Sequence, residues 1–400
     1  TGNVLAVADL ALVTGNLGKP NAGLSPFRGH NNVQGGGGDV GTLPNSLPGY
    51  QDVTDPDVLD AFEDAWGVRP PDEVGLKVPE TFEEAKKGNV RAMYVMGENP
   101  ALSEPDISDA REVLADLDFL VVQDIFMTET AEHADVILPA VSFAEKSGTF
   151  TNTERRVQLV GQAIDPPGEC RQDWRILSEL ANRLGFDWDY RDPAEIFDEL
   201  ASLSPIYAGI SHGRLEREGG IQWPCPDPDH PGTKFLYEDG FNFPDGRARF
   251  VPADMGEPGE LPGEEYPLTL TTGRVLYHFH TGTLTRRVEG LMSHVGESFV
   301  EIHPETAERL GVTDGEYVRV ESPRGAITVR AEVTDRPGEG VVFIPMHFAQ
   351  GAVNELTQEG TFDPTSGIPE YKVSSVRVTP VGPEPDAEPL AGPSEAAGDD

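Results

Sequence analysis

Cysteine is nearly absent from this 400-residue chain, which holds only Cys170 and Cys225. Two thiols are too few for an iron–sulfur cluster, which takes about four protein ligands, and too few for a cysteine-rich zinc site. Each sits beside Pro or Glu in loop-like sequence. That context reads as a structural or idle thiol, and the low count fits a reducing compartment. Basic side chains are scarce too: 30 Lys and Arg stand against 69 Asp and Glu, a net charge of -39. Such a chain repels a phosphate backbone, so nucleic acid is excluded as a partner. The acidic excess is spread along the whole sequence and reads as a solubilising surface, or more sharply as adaptation to high salt. No apolar run reaches the roughly 18 residues of a membrane span, so direct membrane insertion is not expected. The chain begins with Thr and shows no signal peptide, and the expected location is the cytoplasm. A GxGxxG turn after the first strand and a GxxxxGK[ST] loop are both missing, which removes a simple NAD or ATP site.

What is present begins with Arg28–Gly41, RGHNNVQGGGGDVG. An arginine and a histidine that suit a small anion precede two asparagines, a glutamine and four consecutive glycines. Glycine admits positive φ and lets backbone approach a bulky ligand, because no Cβ intervenes. Upstream, residues 3–13 read as an amphipathic helix, and residues 56–66 place Val58, Leu59, Phe62 and Trp66 at helical spacing. An α/β pattern follows. Strands are predicted over 90–96, 118–122 and 134–138, and helices over 107–117 and 173–184. Alternation of this kind predicts a parallel sheet. From 187 to 264 Pro, Gly and aromatics dominate, and the segment reads as an irregular connecting region. From 265 to 380 six β-rich runs, PLTLTT, SFVEIH, YVRVES, AITVRAEV, GVVFIP and SSVRVTP, are separated by turns such as Asp314-Gly315 and Arg324-Gly325. They predict a small β-barrel or sandwich. Residues 381–400, rich in Pro, Glu, Ala and Gly, read as a disordered acidic tail.

In an open α/β sheet, ligands sit beyond the carboxyl ends of the strands. Gly97, Glu98, Asn99 and Ser103 follow the first predicted strand, Gln123 and Asp124 the second, and Ala140 and Ser142 the third. Together they suit a nucleotide-like base and its ribose. In the β-rich region, Arg274 leads to Tyr277, His278 and His280, and Asn354 and the run PEYK with Tyr371 and Lys372 come later. Arg274 and Lys372 suit the phosphates of a large anion. His278 and His280 have no Cys or carboxylate neighbour in sequence, and no residue is assigned as a metal ligand.

TGNLGKPNAG, RGHNNVQG, MYVMGENP, VVQDIFMTETAEHADVILPA, GTFTNTERRVQ, DWRILSELANRLG, TTGRVLYHFHTGT and PEYKVSSVRVTP occur in an order that resembles the catalytic α subunits of molybdenum formate dehydrogenases. These belong to the molybdopterin oxidoreductase (dimethyl sulfoxide reductase-like) superfamily, and the likeness covers nearly all of residues 1–380. The resemblance implies a remnant of a substrate- and pterin-contacting domain over 1–50 and a dinucleotide-binding α/β domain over 51–186. It also implies a double-psi, aspartate-decarboxylase-like barrel over 265–380. It implies bis(molybdopterin guanine dinucleotide) with Mo or W, held by Asn99, Ser103, Gln123, Asp124 and Asp173 and, from the barrel, by Arg274, His278, Asn354, Tyr371 and Lys372. Arg28 matches the family's active-site arginine and His30 the polar position beside it, both catalytic. A planar guanidinium fork suits a small carboxylate. Formate is the implied substrate, and an electron-transfer subunit or ferredoxin the implied partner. The family's metal-ligating residue and the cysteines of its [4Fe-4S] cluster match no residue here, so the chain reads as the C-terminal part of such a subunit. Members often carry Cys or Ala-Cys where this chain has glycines before Asp39, and Ala140 replaces a hydroxyl common after the third strand. Two alternatives stay open: another enzyme of the superfamily, such as a nitrate reductase, or a non-catalytic molybdopterin-binding module.

Overall fold

The structure, a computed structural model, describes residues 1–253 and 256–382. Residues 383–400, most of the expected acidic tail, lie outside the described residues. Val381 and Gly382 end a strand instead. The chain divides into two compact units that interleave in sequence. The first comprises Thr1–Gly97, Asp118–Met127 and Ala134–Gly256. The second comprises Glu98–Leu117, Thr128–His133 and the chain from Glu257 onward.

The first unit contains a three-stranded parallel sheet of β1 (Ala92–Met96), β2 (Phe119–Asp124) and β3 (Val136–Pro139), with β2 in the middle. Pairing is in register from Ala92 opposite Phe119 to Met96 opposite Gln123. The apolar runs predicted all three strands because β-branched residues pack well on a pleated surface. Pro139 closes β3, since proline donates nothing to a ladder. Beyond it, β4 (Gly148–Thr151) and β5 (Arg156–Val160) form an antiparallel hairpin, to which β6 (Ile221–Gln222) adds a third strand.

Helices cover Gly2–Val13, Pro56–Trp66 and Asp173–Arg183, close to their predicted bounds. Asp55 caps the second by accepting from the Asp57 N–H at 3.0 Å, with Pro56 at the first helical position. The first helix differs from its expectation. It is apolar on every face rather than amphipathic, with only Ala11 buried and Val4, Val7, Leu10 and Val13 exposed. The connecting region is also more ordered than its composition suggests. Helices Pro193–Leu203 and His212–Glu218 lie within it, capped by Asp192 and Ser211. Phe197, Tyr207, Ile210, Leu215 and Cys225 from this region pack with Val157 of β5 and Ile221 of β6. Turn residues at the helix ends masked the short helical periods between them.

The second unit is built on a closed six-stranded barrel. Its strands are β7 (Leu268–Gly273), β8 (Phe299–Ile302), β9 (Tyr317–Glu321), β10 (Ala326–Val333), β11 (Val341–Pro345) and β12 (Ser374–Gly382). Each corresponds to one of the six predicted runs. Round the barrel the order is β8, β10, β9, β12, β7, β11, with β8–β10 and β7–β11 parallel and the other pairs antiparallel. Alternate residues point inward: Leu268 and Leu270, Val318 and Val320, Ile327 and Val329, Val342 and Ile344, Val376 and Val378 form one apolar core. Closure leaves no free edge. Helices Pro100–Ser103 and Ile107–Asp116 also belong to this unit, where Leu102 and Ile107 pack on Ala352.

Candidate active site and cofactor-binding residues

In the first unit, Gln34–Asp39 forms one turn of π-helix, a conformation frequent at functional sites. Thr42 closes it: its hydroxyl donates to the carbonyls of Gly36 and Gly37 at 2.8 and 2.9 Å. The glycines serve packing here rather than unusual torsion, for none of Gly35–Gly38 has positive φ. A Cβ on Gly38 would stand 2.0 Å from the Tyr50 ring, whereas Cβ atoms on Gly36 or Gly37 would meet nothing within 4 Å. Asn32 fastens the loop to the hairpin by accepting from the Thr151 N–H at 2.8 Å.

This anchoring places Arg28 and His30 at a cleft of about 420 Å³, walled by Phe150, Asn152, Gln158 and Val160 of the hairpin. Arg28 is exposed, and its Nη2 reaches the amide oxygen of Gln34 at 3.5 Å. The Gln34 amide donates to the Tyr50 hydroxyl. Behind lies Asp39, 1 % exposed, whose Oδ2 accepts from the Tyr207 hydroxyl and from Trp223 Nε1 at 3.1 Å. Burial raises the Asp39 carboxyl above its ordinary range, and hydrogen bonds from surrounding side chains oppose that rise. Tyr207 and Tyr50 are likewise pushed well above the normal phenol range, first by burial and then by the Asp39 charge. Gln34, Asp39, Tyr50, Tyr207 and Trp223 were not among the candidates from sequence. An Asp after four glycines reads as a turn residue, and its partners lie as far as 184 positions away. A larger cleft of about 910 Å³ in the same unit shares Asn152 and Thr153 with the first and carries Arg155, Lys234 and Arg249.

At the carboxyl end of the parallel sheet, Gln123 is fully buried. Its Nε2 donates to Asp173 Oδ1 at 2.8 Å, its Oε1 accepts from the Tyr94 hydroxyl, and Lys146 pairs with the other Asp173 oxygen. The structure thus brings Gln123 and Asp173 together. Asp124 turns onto the backbone and accepts from the Ile125 N–H at 2.6 Å.

Asn99 and Ser103 belong to the barrel unit, not to the unit of the sheet they follow in sequence. Asn99 is buried, donating to Glu129 at 2.7 Å and accepting from the Thr130 N–H at 3.1 Å. The Ser103 carbonyl receives two of the predicted residues: Asn354 Nδ2 at 3.1 Å and the Tyr371 hydroxyl at 3.0 Å. Beside it, burial and the repulsion of Glu98 push the Glu104 carboxyl up to about 7. His278 lies past the end of β7, with its ring nitrogens bonded to Thr285 Oγ1 at 3.0 Å and the Val295 carbonyl at 2.7 Å. Both nitrogens therefore hold the protein's own loop. Among the described residues no cluster of His, Cys, Asp and Glu suits a metal.

Arg274 and Lys372 stand out electrostatically. Arg274 is exposed and makes no hydrogen bond or ion pair among the described residues. Lys372 donates to the Thr272 carbonyl at 2.6 Å, and burial, then the Arg274 charge, hold its ammonium below the usual range. Two neighbouring cations without a carboxylate partner among the described residues form a donor set suited to a phosphate-bearing ligand.

Residues 2–183 match the family model described as Molybdopterin oxidoreductase, and residues 268–375 match that described as Molydopterin dinucleotide binding domain. The chain belongs to the molybdopterin oxidoreductase family. Its curated relatives include the F420-dependent formate dehydrogenase subunit alpha of Methanocaldococcus jannaschii, 47% identical over 94% of this chain and 55% of the relative. Formate dehydrogenase H of Escherichia coli is 40% identical over 96% of this chain and 54% of the relative. The chain thus spans about half the length of these relatives. Acetylene hydratase from Pelobacter acetylenicus has the same fold, with a TM-score of 0.64 at 21% identity over 80% of this chain and 49% of that one. The dinucleotide-binding match contains both Arg274 and Lys372, so the uncompensated cations of the barrel fit the group this family binds.

Proposed function

We propose that this chain supplies the formate-contacting arginine loop and the dinucleotide-binding barrel of the catalytic α subunit of a molybdopterin formate dehydrogenase. The observation that carries the reading is Arg28 lining a small cleft, its guanidinium hydrogen-bonded among the described residues only to Gln34, at 3.5 Å. A carboxylate of formate size accepts two parallel N–H bonds from such a fork. Placing formate there offsets its charge and orients its C–H bond, and His30 on the same wall adds a polar group beside it. The overall change is formate to carbon dioxide, one proton and two electrons.

Bis(molybdopterin guanine dinucleotide), with molybdenum or tungsten, supplies the two-electron redox chemistry when bound. Arg274 and Lys372 would face its phosphates. Asn99, Ser103 and Tyr371 of the same unit would hold its polar edges. A [4Fe-4S] cluster and an electron-transfer subunit or ferredoxin would accept the two electrons.

Arg28→Lys in the protein that carries this chain tests the reading. Loss of the bidentate fork should lower kcat/KM for formate at least about tenfold. An unchanged kcat/KM removes Arg28 from the reaction. Nitrate reduction without formate oxidation would assign the chain to a different branch of the family.

A further inference from the structure

At the carboxyl end of the parallel sheet, side chains of the first unit form an unbroken hydrogen-bonded chain from Tyr94 through Gln123 and Asp173 to Lys146. Tyr94 stands opposite Val121 in the β1–β2 ladder. Gln123 is two residues further along β2, so both side chains lie on one face of the sheet. The Tyr94 hydroxyl donates to Gln123 Oε1, and Gln123 Nε2 donates to Asp173 Oδ1 at 2.8 Å. Asp173 opens the helix Asp173–Arg183, and its other oxygen pairs with Lys146, the residue after the short turn Phe143–Glu145.

Chemistry fixes the direction of this chain. A carboxylate only accepts, so the Gln123 amide must turn its nitrogen to Asp173. Its oxygen then faces Tyr94, whose single phenol proton must point to it. Burial, then the Asp173 charge, raise the Tyr94 hydroxyl above the ordinary phenol range, which keeps that proton in place. Gln123 is fully buried, with both ends of its amide on protein partners, so it acts on a ligand only through Asp173. The Asp173 side chain is 26% exposed. A carboxylate has about four acceptor positions. Among the described residues one is taken on each Asp173 oxygen, and the others are left for donors of a ligand.

We infer that Tyr94 and Lys146 are positioning residues that lock the Asp173 carboxylate in one orientation, where it accepts hydrogen bonds from the molybdopterin dinucleotide. The inference rests on the reading of Asp173 as a contact of that group, and adds the two residues that aim it. Tyr94 sets the amide, the amide holds one carboxylate oxygen, and the ammonium holds the other. With phenylalanine at 94 the amide oxygen loses its donor and Gln123 no longer has a fixed direction. Without the ammonium at 146 the second oxygen is free to swing.

The test is the rate at which pterin leaves the cofactor-loaded protein that carries this chain, read on dilution by the fluorescence of the released, oxidised pterin. Asp173→Asn should speed the loss at least about tenfold, and Tyr94→Phe and Lys146→Met about fivefold each. Lys146→Arg keeps the cation and should stay within about twofold of the unaltered protein. In an Asp173→Asn background neither Tyr94→Phe nor Lys146→Met should add to the loss, because no carboxylate remains to be aimed. A merely structural role would add its own factor there. A rate within about twofold of the unaltered protein for Tyr94→Phe or Lys146→Met, with Asp173→Asn still fast, overturns the inference, and so do additive effects in the double variants. An unchanged rate for Asp173→Asn instead removes Asp173 from the cofactor site, and the reading beneath the inference fails. Tyr94 and Lys146 are both partly exposed, so neither substitution removes core packing.

Discussion

Gly38 and Gly36 are chemically identical and two positions apart, yet they carry different constraints. The Gly38 Cβ position is filled by the Tyr50 ring, and that of Gly36 is open. Gly38→Ala should therefore destabilise the protein by about 1–3 kcal/mol through overpacking. Gly36→Ala should change stability by less than about 1 kcal/mol, with a gain where helical backbone is retained. Urea unfolding of the two variants checks this, and equal losses would refute the packing account. Arg28 and His30 drew notice in the sequence because an arginine before a polar, glycine-rich loop is an unusual composition, and the structure places both at one cleft. Asp39 did not, because its significance lies in Tyr207 and Trp223, which the chain brings back only after 168 and 184 residues. His278 was legible as a polar group but not as one whose ring nitrogens are both committed to its own loop.

Strands were the easiest elements to read. Four of the six runs of the second unit, those of β7, β9, β10 and β12, alternate apolar and polar residues with the period of two that a half-buried strand requires. Their pairing order was not readable, since alternation fixes which face is buried and says nothing of which neighbour is beside it. Barrel closure, with two parallel and four antiparallel contacts, is a property of the assembled sheet. Leu270 lies fully buried on β7, in the common core. Leu270→Ala should cost about 2–5 kcal/mol and lower the urea midpoint of the barrel unit. Unchanged unfolding would mean the barrel core does not carry its stability. The helices at 193–203 and 212–218 escaped notice because each is short and bounded by Pro, Ser or Gly. Their stability comes from packing with β5 and β6 rather than from a long amphipathic stripe.

At the scale of the whole molecule, the net charge of -39 sets the response to salt. Like charges on a folded surface repel, and ions screen that repulsion within about 10 Å at 0.1 M. Thermal stability should rise by several degrees between about 0.1 and 1 M KCl, beyond the change seen for a protein of balanced charge. A flat or falling Tm would show that the acidic excess does not limit stability. The sequence by itself determined the class of each segment: parallel-sheet strands, barrel strands, an anion-suited arginine loop and a cationic pair in the barrel region. These follow from local periodicity and residue chemistry. Only the tertiary structure decided that Asn99 and Ser103 belong with the barrel, that the glycine run is a π-turn packed on Tyr50, and that a buried carboxylate stands behind Arg28. The physical reason is the same in each case. Burial and hydrogen-bond partnership are set by residues distant in the chain, and no local pattern encodes which of them will meet.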